Sequence, residues 1–301
     1  MTDQLTKRLT GPLTRLLAGL LCALMLSPPA AVAAELMPLF DVHLHYHNDQ
    51  RAAVPPSQVL TILDDNGIEY AVVTSTPPES ARDLARMAPE RIVPFLSVYR
   101  TSADKSRWMH DPNLPARVRS WLDEGDYRGI GELHIFGKDR HSPILRELVK
   151  IAASRDLILM IHGDLAIIDR IFAIAPSVRV LWAHLGTDPD PTILRAALAR
   201  HPYHLFIDTS VRDERFLDAD GDLRAEWRAL FLDHPNRFVV GVDTYSIQRW
   251  QKFDQVTATI RQWLDQLPPS VAGRIGRENA RGLLLPDPFA LDSTFSDSQE
   301  K

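Results

Sequence analysis

From Met37 onward, short apolar β-branched runs alternate with amphipathic segments, and this order most constrains what the chain can fold into. Strand-like and helix-like periods in regular succession mark βα units around a parallel sheet, because parallel neighbours need a crossover that a helix supplies. The expected strands are Met37–His45, Ile68–Ser75, Ile92–Val98, Gly129–Phe136, Leu157–His162, Val178–His184, His204–Thr209 and Phe238–Asp243. Helices are expected between them at Ser57–Asp65, Ala116–Glu124, Pro143–Ser154, Pro191–Arg200 and Leu223–Leu232. Ser57 stands at a cap position after a Pro pair, and Gly67 ends its helix after Asn66. A helical region through Trp250 to Leu264, then Pro268-Pro269 and a last helix to Leu285, completes the chain's ordered part. Eight units over about 250 residues fit an α/β fold of the (β/α)8 TIM-barrel class in a single domain. A doubly wound open sheet is the competing architecture, since periodicity does not count closure.

The first residues read as a targeting signal: Lys7, Arg8 and Arg15 precede the apolar run Leu16 to Leu26, then Ser27-Pro28-Pro29 and small residues to Ala34. The expected division is therefore a signal peptide at 1–34, a barrel at 35–286 and a polar tail at 287–301. Export, to the periplasm, is the expected destination; no stable membrane anchor is expected, and a retained amino-terminal anchor is the alternative. The signal carries Cys22, the only cysteine, so the mature chain has no thiol to act as ligand or nucleophile. It also holds three of 34 basic and one of 39 acidic residues, leaving 31 against 38. That balance argues against nucleic acid as a partner.

Each of five strands stops on a residue of metal-ligand type. Phe40-Asp41-Val42-His43-Leu44-His45 ends the first, and residues two apart on a strand share a face, so both imidazoles can reach one ion. Glu132 lies in the apolar run Gly129-Ile130-Gly131-Glu132-Leu133, where a buried carboxylate needs a cation or strong donors. His162, His184 and Asp243 close the fifth, sixth and eighth strands. Singly, each has a plain structural reading: His184 as a strand cap, Asp243 as a helix cap, Glu132 as the partner of Arg128. Together they describe one pocket, because barrel strands converge at their carboxyl ends.

This set resembles the metal-dependent amidohydrolase superfamily, whose barrels place His-x-His after the first strand, His after the fifth and sixth, and Asp after the eighth. Asn279-Ala280-Arg281-Gly282-Leu283-Leu284 also looks like the Asn-Ala-x-x-Leu closing helix of that group. Gly131-Glu132 is similar to the fourth-strand glutamate of TatD-type deoxyribonucleases, where it helps hold a second metal. The flanking residues and Thr244-Tyr245 depart from that branch, and the general fit is closer to the branch of small-molecule hydrolases and the aminocarboxymuconate semialdehyde decarboxylase type. No lysine stands at the fourth strand end for the phosphotriesterase-type bridge.

The resemblance implies one or two divalent ions, zinc first, with Mn, Fe or Co as alternatives, held by His43, His45, Glu132, His162, His184 and Asp243. Asp243 and His184 are the expected catalytic pair: Asp243 moves the proton of a metal-activated water, and His184 steadies that water or polarises the substrate. The expected reaction is hydrolysis of an amide, lactone or ester in a small molecule. A decarboxylase is the runner-up, and a catalytically silent metal-binding barrel is the reading outside the enzyme class. Tyr46, His47, Arg100, His134, Lys138 and Tyr245 are the candidate substrate-binding residues, and Arg100 with Lys138 would favour an anionic substrate. Trp182 reads as core, the loop from Arg100 to Pro115 as long enough for a lid, and Asp218 to Asp222 as a polar turn although it resembles a calcium loop.

Overall fold

The computed structural model describes residues 36–285; the expected signal peptide and tail lie outside them. Eight strands, β1 Leu39–His45, β2 Ile68–Thr74, β3 Ile92–Leu96, β4 Gly129–His134, β5 Ile158–His162, β6 Arg179–Trp182, β7 Leu205–Asp208 and β8 Phe238–Val239, pair in parallel and in chain order. β8 is only two residues long because the chain beyond it leaves regular strand geometry. It still runs along β1: the Val42 N–H donates to Val240 O (2.9 Å) and the Asp243 N–H to His43 O (2.7 Å). These bonds bring the first and last strands together, so the sheet is a nearly closed barrel and the open-sheet alternative falls.

Helices follow the strands in turn: α1 Pro56–Asp65, α2 Glu79–Met87, α3 Leu114–Asp123, α4 Pro143–Ser154, α5 Leu165–Ile174, α6 Pro191–Arg200 and α7 Ala225–Asp233. Past β8 come α8 Ile247–Gln251, α9 Phe253–Leu264, α10 Pro269–Gly273 and α11 Asn279–Leu284. Caps explain several starts: Ser142 accepts from the N–H groups of Ile144 and Leu145, and Asp190 from those of Thr192 and Ile193. Ser57 does not cap; Pro55 precedes the helix and Pro56 opens it, since a missing N–H costs nothing in a first turn. Gly67, at φ +59°, does end α1 behind Asn66.

The strands' two faces bury separate cores. Ile158 and Met160 of β5 face inward with Phe40, Val42, Val72, Phe95, Leu181 and Val239, and Ala280, Leu283 and Leu284 of α11 pack with this inner cluster. Leu159 and Ile161 face outward into the larger layer shared with the helices, among them Leu148, Ile168 and Leu198. The expected closing motif is realised here, with the Asn279 amide donating to Pro235 O (2.8 Å) and Phe238 O (2.9 Å). Trp182 is core as expected, its Nε1 donating to Gly163 O (2.8 Å). Asp218 makes the expected polar turn, Oδ1 accepting from the Asp220 and Asp222 N–H groups.

Candidate metal centre

The inward row of β5 continues from Ile158 and Met160 to His162, which is how a period of two delivers an imidazole to the barrel mouth. β1 and β4 depart from that period. β1 shifts register between Asp41 and Leu44, and β4 between Ile130 and Leu133, so Leu44 and Leu133 stay in the outer layer beside inward-facing ligands. Gly131 permits the β4 irregularity: its φ is +145°, and a Cβ there would meet Met160 O at 2.5 Å. Gly241 has a similar duty for space, since a Cβ would meet the Cβ of His43 at 2.8 Å. His184 (φ +61°) and Asp243 (φ +58°) take the left-handed conformation that non-glycine residues rarely adopt, costing about 1–2 kcal/mol each. Arg249 holds the Asp243 turn, donating to Val242 O (2.6 Å) and Asp243 O (3.4 Å).

All six expected ligands meet at the carboxyl ends of the strands, and His43, His45, Glu132, His184 and Asp243 are buried. His43 Nε2 lies 3.2 Å from His45 Nε2 and 3.9 Å from Asp243 Oδ1, which is 3.3 Å from His45 Nε2. Glu132 joins this group to a second one. Its Oε2 is 3.5 Å from His45 Nε2, while its Oε1 is 2.8 Å from His162 Nδ1 and 3.0 Å from His184 Nε2.

The hydrogen bonds behind the ligands fix where their protons sit. Asp208, the last residue of β7, is buried and held as a carboxylate: burial would raise it, but His43 and the Ser210 N–H outweigh that. It accepts from His43 Nδ1 (2.7 Å) and from Ser210 Oγ (2.7 Å). Having spent its proton on Asp208, the Ser210 hydroxyl accepts from His184 Nδ1 (2.9 Å). Both Nε2 atoms therefore carry bare lone pairs when the rings are neutral. They face carboxylate oxygens, and buried Asp243 Oδ1 has no hydrogen-bond partner among the described residues. Lone pairs aimed at lone pairs repel unless a cation or extra protons sit between them.

A cation suits the spacing. Ligand bonds of about 2.1 Å in a tetrahedron set neighbouring donors roughly 3.4 Å apart, the scale of the separations around His45. Protons fill the role in the metal-free protein. The His43 imidazole is pushed up to about 10, its burial overcome by Asp243, Asp208 and Glu132. His184 is also raised, with Glu132 overcoming burial. Glu132 stays well below the usual carboxylate range because the surrounding histidines outweigh its burial.

The candidate substrate-binding residues divide. Tyr46 is buried core, its hydroxyl donating to Val54 O (2.8 Å) and its ring edge-on to Trp250, so it does not reach substrate; a strand-end residue one place beyond His45 faces the outer layer. Arg100 and Lys138 are exposed, and Tyr245 is exposed beside Glu214, Arg249 and Lys252 in a separate cleft. His47 and His134 do join the site. The ring of His47 lies 5.0 Å from that of His45, and the ring of His134 stacks on His162 at 4.3 Å. Burial first, with Lys105 and neighbouring histidines, pushes both down to about 3 against the opposing pull of Glu132. Glu132 pairs with histidines, not with Arg128. Trp108 ties down the loop from Arg100 to Pro115 by donating to His134 O (2.9 Å).

Sequence reasoning missed Asp208 and Ser210, although β7 also ends on a carboxylate, the signal that marked the other strands. It also missed Thr244, whose hydroxyl accepts from the His45 N–H (2.9 Å) and donates to His45 O (2.8 Å). A wide cleft of about 1180 Å³ lies at the opposite end of the barrel among Arg82, Arg86, Arg128 and Arg281, away from every ligand.

A parallel eight-stranded barrel with a nitrogen- and oxygen-donor cluster at its strand ends defines a class of metal-dependent enzymes. The amidohydrolase family model matches residues 40–285, and the chain belongs to that family. It is thus an enzyme of the amidohydrolase type. Two solved structures of an amidohydrolase from Burkholderia multivorans share the fold at 16% identity, each covering 82% of this chain and 98% of the other. One, with bound zinc, superposes at a TM-score of 0.54; the other, with bound HEPES, at 0.51. Among curated proteins, none matches the chain.

Proposed function

We propose that this protein is an exported hydrolase that uses one or two divalent ions, zinc foremost, to cleave an amide, lactone or ester bond of a small molecule. The observation that carries the proposal is the convergence of ligand atoms: His43 Nε2, His45 Nε2 and Asp243 Oδ1 on one side, His162 Nδ1 and His184 Nε2 on the other, with Glu132 between. The first three would hold one ion with Glu132 Oε2; the last two would hold a second with Glu132 Oε1. Bound there, a divalent ion makes water nucleophilic near neutral pH and polarises a carbonyl. Zinc is favoured by the nitrogen-rich donors and by the zinc-bound amidohydrolase of the same fold.

The protein's own groups supply the proton handling. Asp243, holding an ion through the unpartnered Oδ1, would take the water's proton on its other oxygen and return it to the leaving group. His184, bonded through Nδ1 to Ser210, offers only a lone pair at Nε2, so it suits an ion better than it suits a substrate carbonyl. Glu132, shared between both groups, favours two ions and with them hydrolysis over decarboxylation. Export rests on the signal-like residues 1–34.

Elemental analysis after mild purification tests this reading, beside Asp243→Asn and a His43→Ala/His45→Ala double variant. One or two equivalents in the wild type, sharply reduced in the double variant, are expected. Asp243→Asn should keep its fold and lose at least about a hundredfold in turnover on a panel of esters and lactones. No bound metal after incubation with Zn(II) or Mn(II) would overturn the proposal.

A further inference from the structure

The histidines of the pocket sort by which ring nitrogen is already engaged. His43 and His184 donate from Nδ1 and, when neutral, present bare Nε2 atoms. His47 is wired the opposite way. Its Nδ1 lies 2.9 Å from the Thr76 N–H. A backbone N–H can only donate, so Nδ1 of His47 accepts and the neutral ring carries its proton on Nε2.

His134 shares that wiring through Tyr99. The buried Tyr99 hydroxyl accepts from the His134 backbone N–H (2.8 Å) and lies 3.2 Å from His134 Nδ1. Its own proton has no other acceptor among the described residues, so it goes to Nδ1. His134 Nε2 then carries a proton and has no lone pair to give a metal. It lies 3.5 Å from Glu132 Oε2, so it points into the ligand cluster as a donor. Distance alone would group His134 with Glu132 and His162 as a set of metal ligands; the hydrogen bonding separates it from them.

We infer that His47 and His134 are tautomer-locked Nε2–H donors flanking the metal centre, and that together they take an anionic oxygen of the substrate, whether a carboxylate or the oxyanion developing at the attacked carbonyl. This rests on the proposed hydrolytic reading of the same site. His47 enters beyond β1 with its ring 5.0 Å from that of His45, and His134 ends β4 with its ring 4.3 Å from that of His162, so each donor stands beside a different ligand. No hydrogen-bond acceptor meets the Nε2–H of His47 among the described residues, which leaves that proton for a ligand. A neutral donor has an advantage here: it stabilises negative charge on the substrate without repelling the ions beside it.

The test combines nitrogen-15 NMR of the imidazoles with calorimetric binding of methylphosphonate, a tetrahedral oxyanion mimic, to the zinc-loaded full chain. Wild-type His47 and His134 should both show protonated Nε2 and bare Nδ1, and in Tyr99→Phe the His134 signal should shift toward a mixture of tautomers. His47→Phe and His134→Phe should each weaken methylphosphonate about tenfold or more with zinc stoichiometry unchanged, and His134→Gln, which keeps an N–H donor, should recover part of the loss. Loss of zinc in His134→Phe would make His134 a ligand and overturn the inference, as would unchanged methylphosphonate affinity. If the wild type binds no zinc, the hydrolytic proposal fails, and the tautomers, read on the metal-free chain, still decide the wiring: Nδ1–H on either ring would sink it.

Discussion

His43 and His184 reach the cluster from β1 and from beyond β6, yet the bonds behind both run to one carboxylate, directly in the first case and through Ser210 in the second. Asp208 therefore sets two tautomers at once, the kind of outer contact that orients metal ligands. Asp208→Asn, whose amide can donate to His43 Nδ1 and move the ring's proton to Nε2, should weaken zinc binding roughly 10- to 100-fold in a competitive chelator titration. Ser210→Ala should act on His184 alone and cost less, and Ser210→Thr should restore the wild-type value. Asp41 makes a different prediction. Burial pushes its carboxyl up to about 7 from an ordinary 3.8, although the N–H groups of His43 and Val242 oppose the rise. A folded pKa above the unfolded one favours the neutral acid, so its contribution is fully present below about pH 4 and is lost as pH climbs through 7. Asp41→Asn should remove that loss. Thermal unfolding of the metal-free proteins from pH 4 to 8 should show the variant gaining on the wild type with rising pH, by on the order of a few kcal/mol; parallel curves would refute it.

Among the elements, β4 carries the heaviest constraint, because it must hold Ile130 and Leu133 in the outer layer while turning Glu132 inward. Gly131 makes both possible. Gly131→Ala would drive a methyl into the Met160 carbonyl, and the strand would have to shift. We expect a loss of about 1–3 kcal/mol in stability and a fall in zinc content, read by denaturant unfolding and elemental analysis. A variant of unchanged stability with full zinc would show that β4 tolerates the shift. The Trp108 indole, bonded to His134 O, ties the rim loop to the same strand end, so the loop's placement and the donor's placement are coupled.

For the whole molecule, the cluster draws ligands from β1, β4, β5 and the segments after β6 and β8, and so joins both sides of the β1–β8 seam. An ion held there binds only the folded chain and stabilises it by mass action. At free zinc near a thousand times its dissociation constant, the gain is about 4 kcal/mol, or roughly 10 °C in the unfolding midpoint of a domain this size. Chelation should lower the midpoint by that order, and added zinc should restore it. The His43→Ala/His45→Ala variant should show no shift with either treatment; a chelator effect that persisted there would place the ion elsewhere.

The βα alternation and the apolar runs were legible in the sequence because burial imposes a period of two on strands and a wider stripe on helices, and both periods are local. The same locality exposed His43, His45, Glu132, His162, His184 and Asp243, each standing where an apolar run stops. Their convergence at one mouth followed from the barrel. Barrel closure, the register irregularities of β1 and β4 and the left-handed turns at His184 and Asp243 depend on contacts between strands far apart in the chain, such as Asp243 N–H on His43 O. Tyr46 was misplaced for that reason: its sequence neighbours His45 and His47 belong to the site, and its packing partner is Trp250. Proton placement needed the tertiary structure most, since a histidine looks the same in sequence whether Asp208 or the Thr76 N–H meets its Nδ1, and that partner decides whether the ring offers a lone pair to an ion or a proton to a substrate.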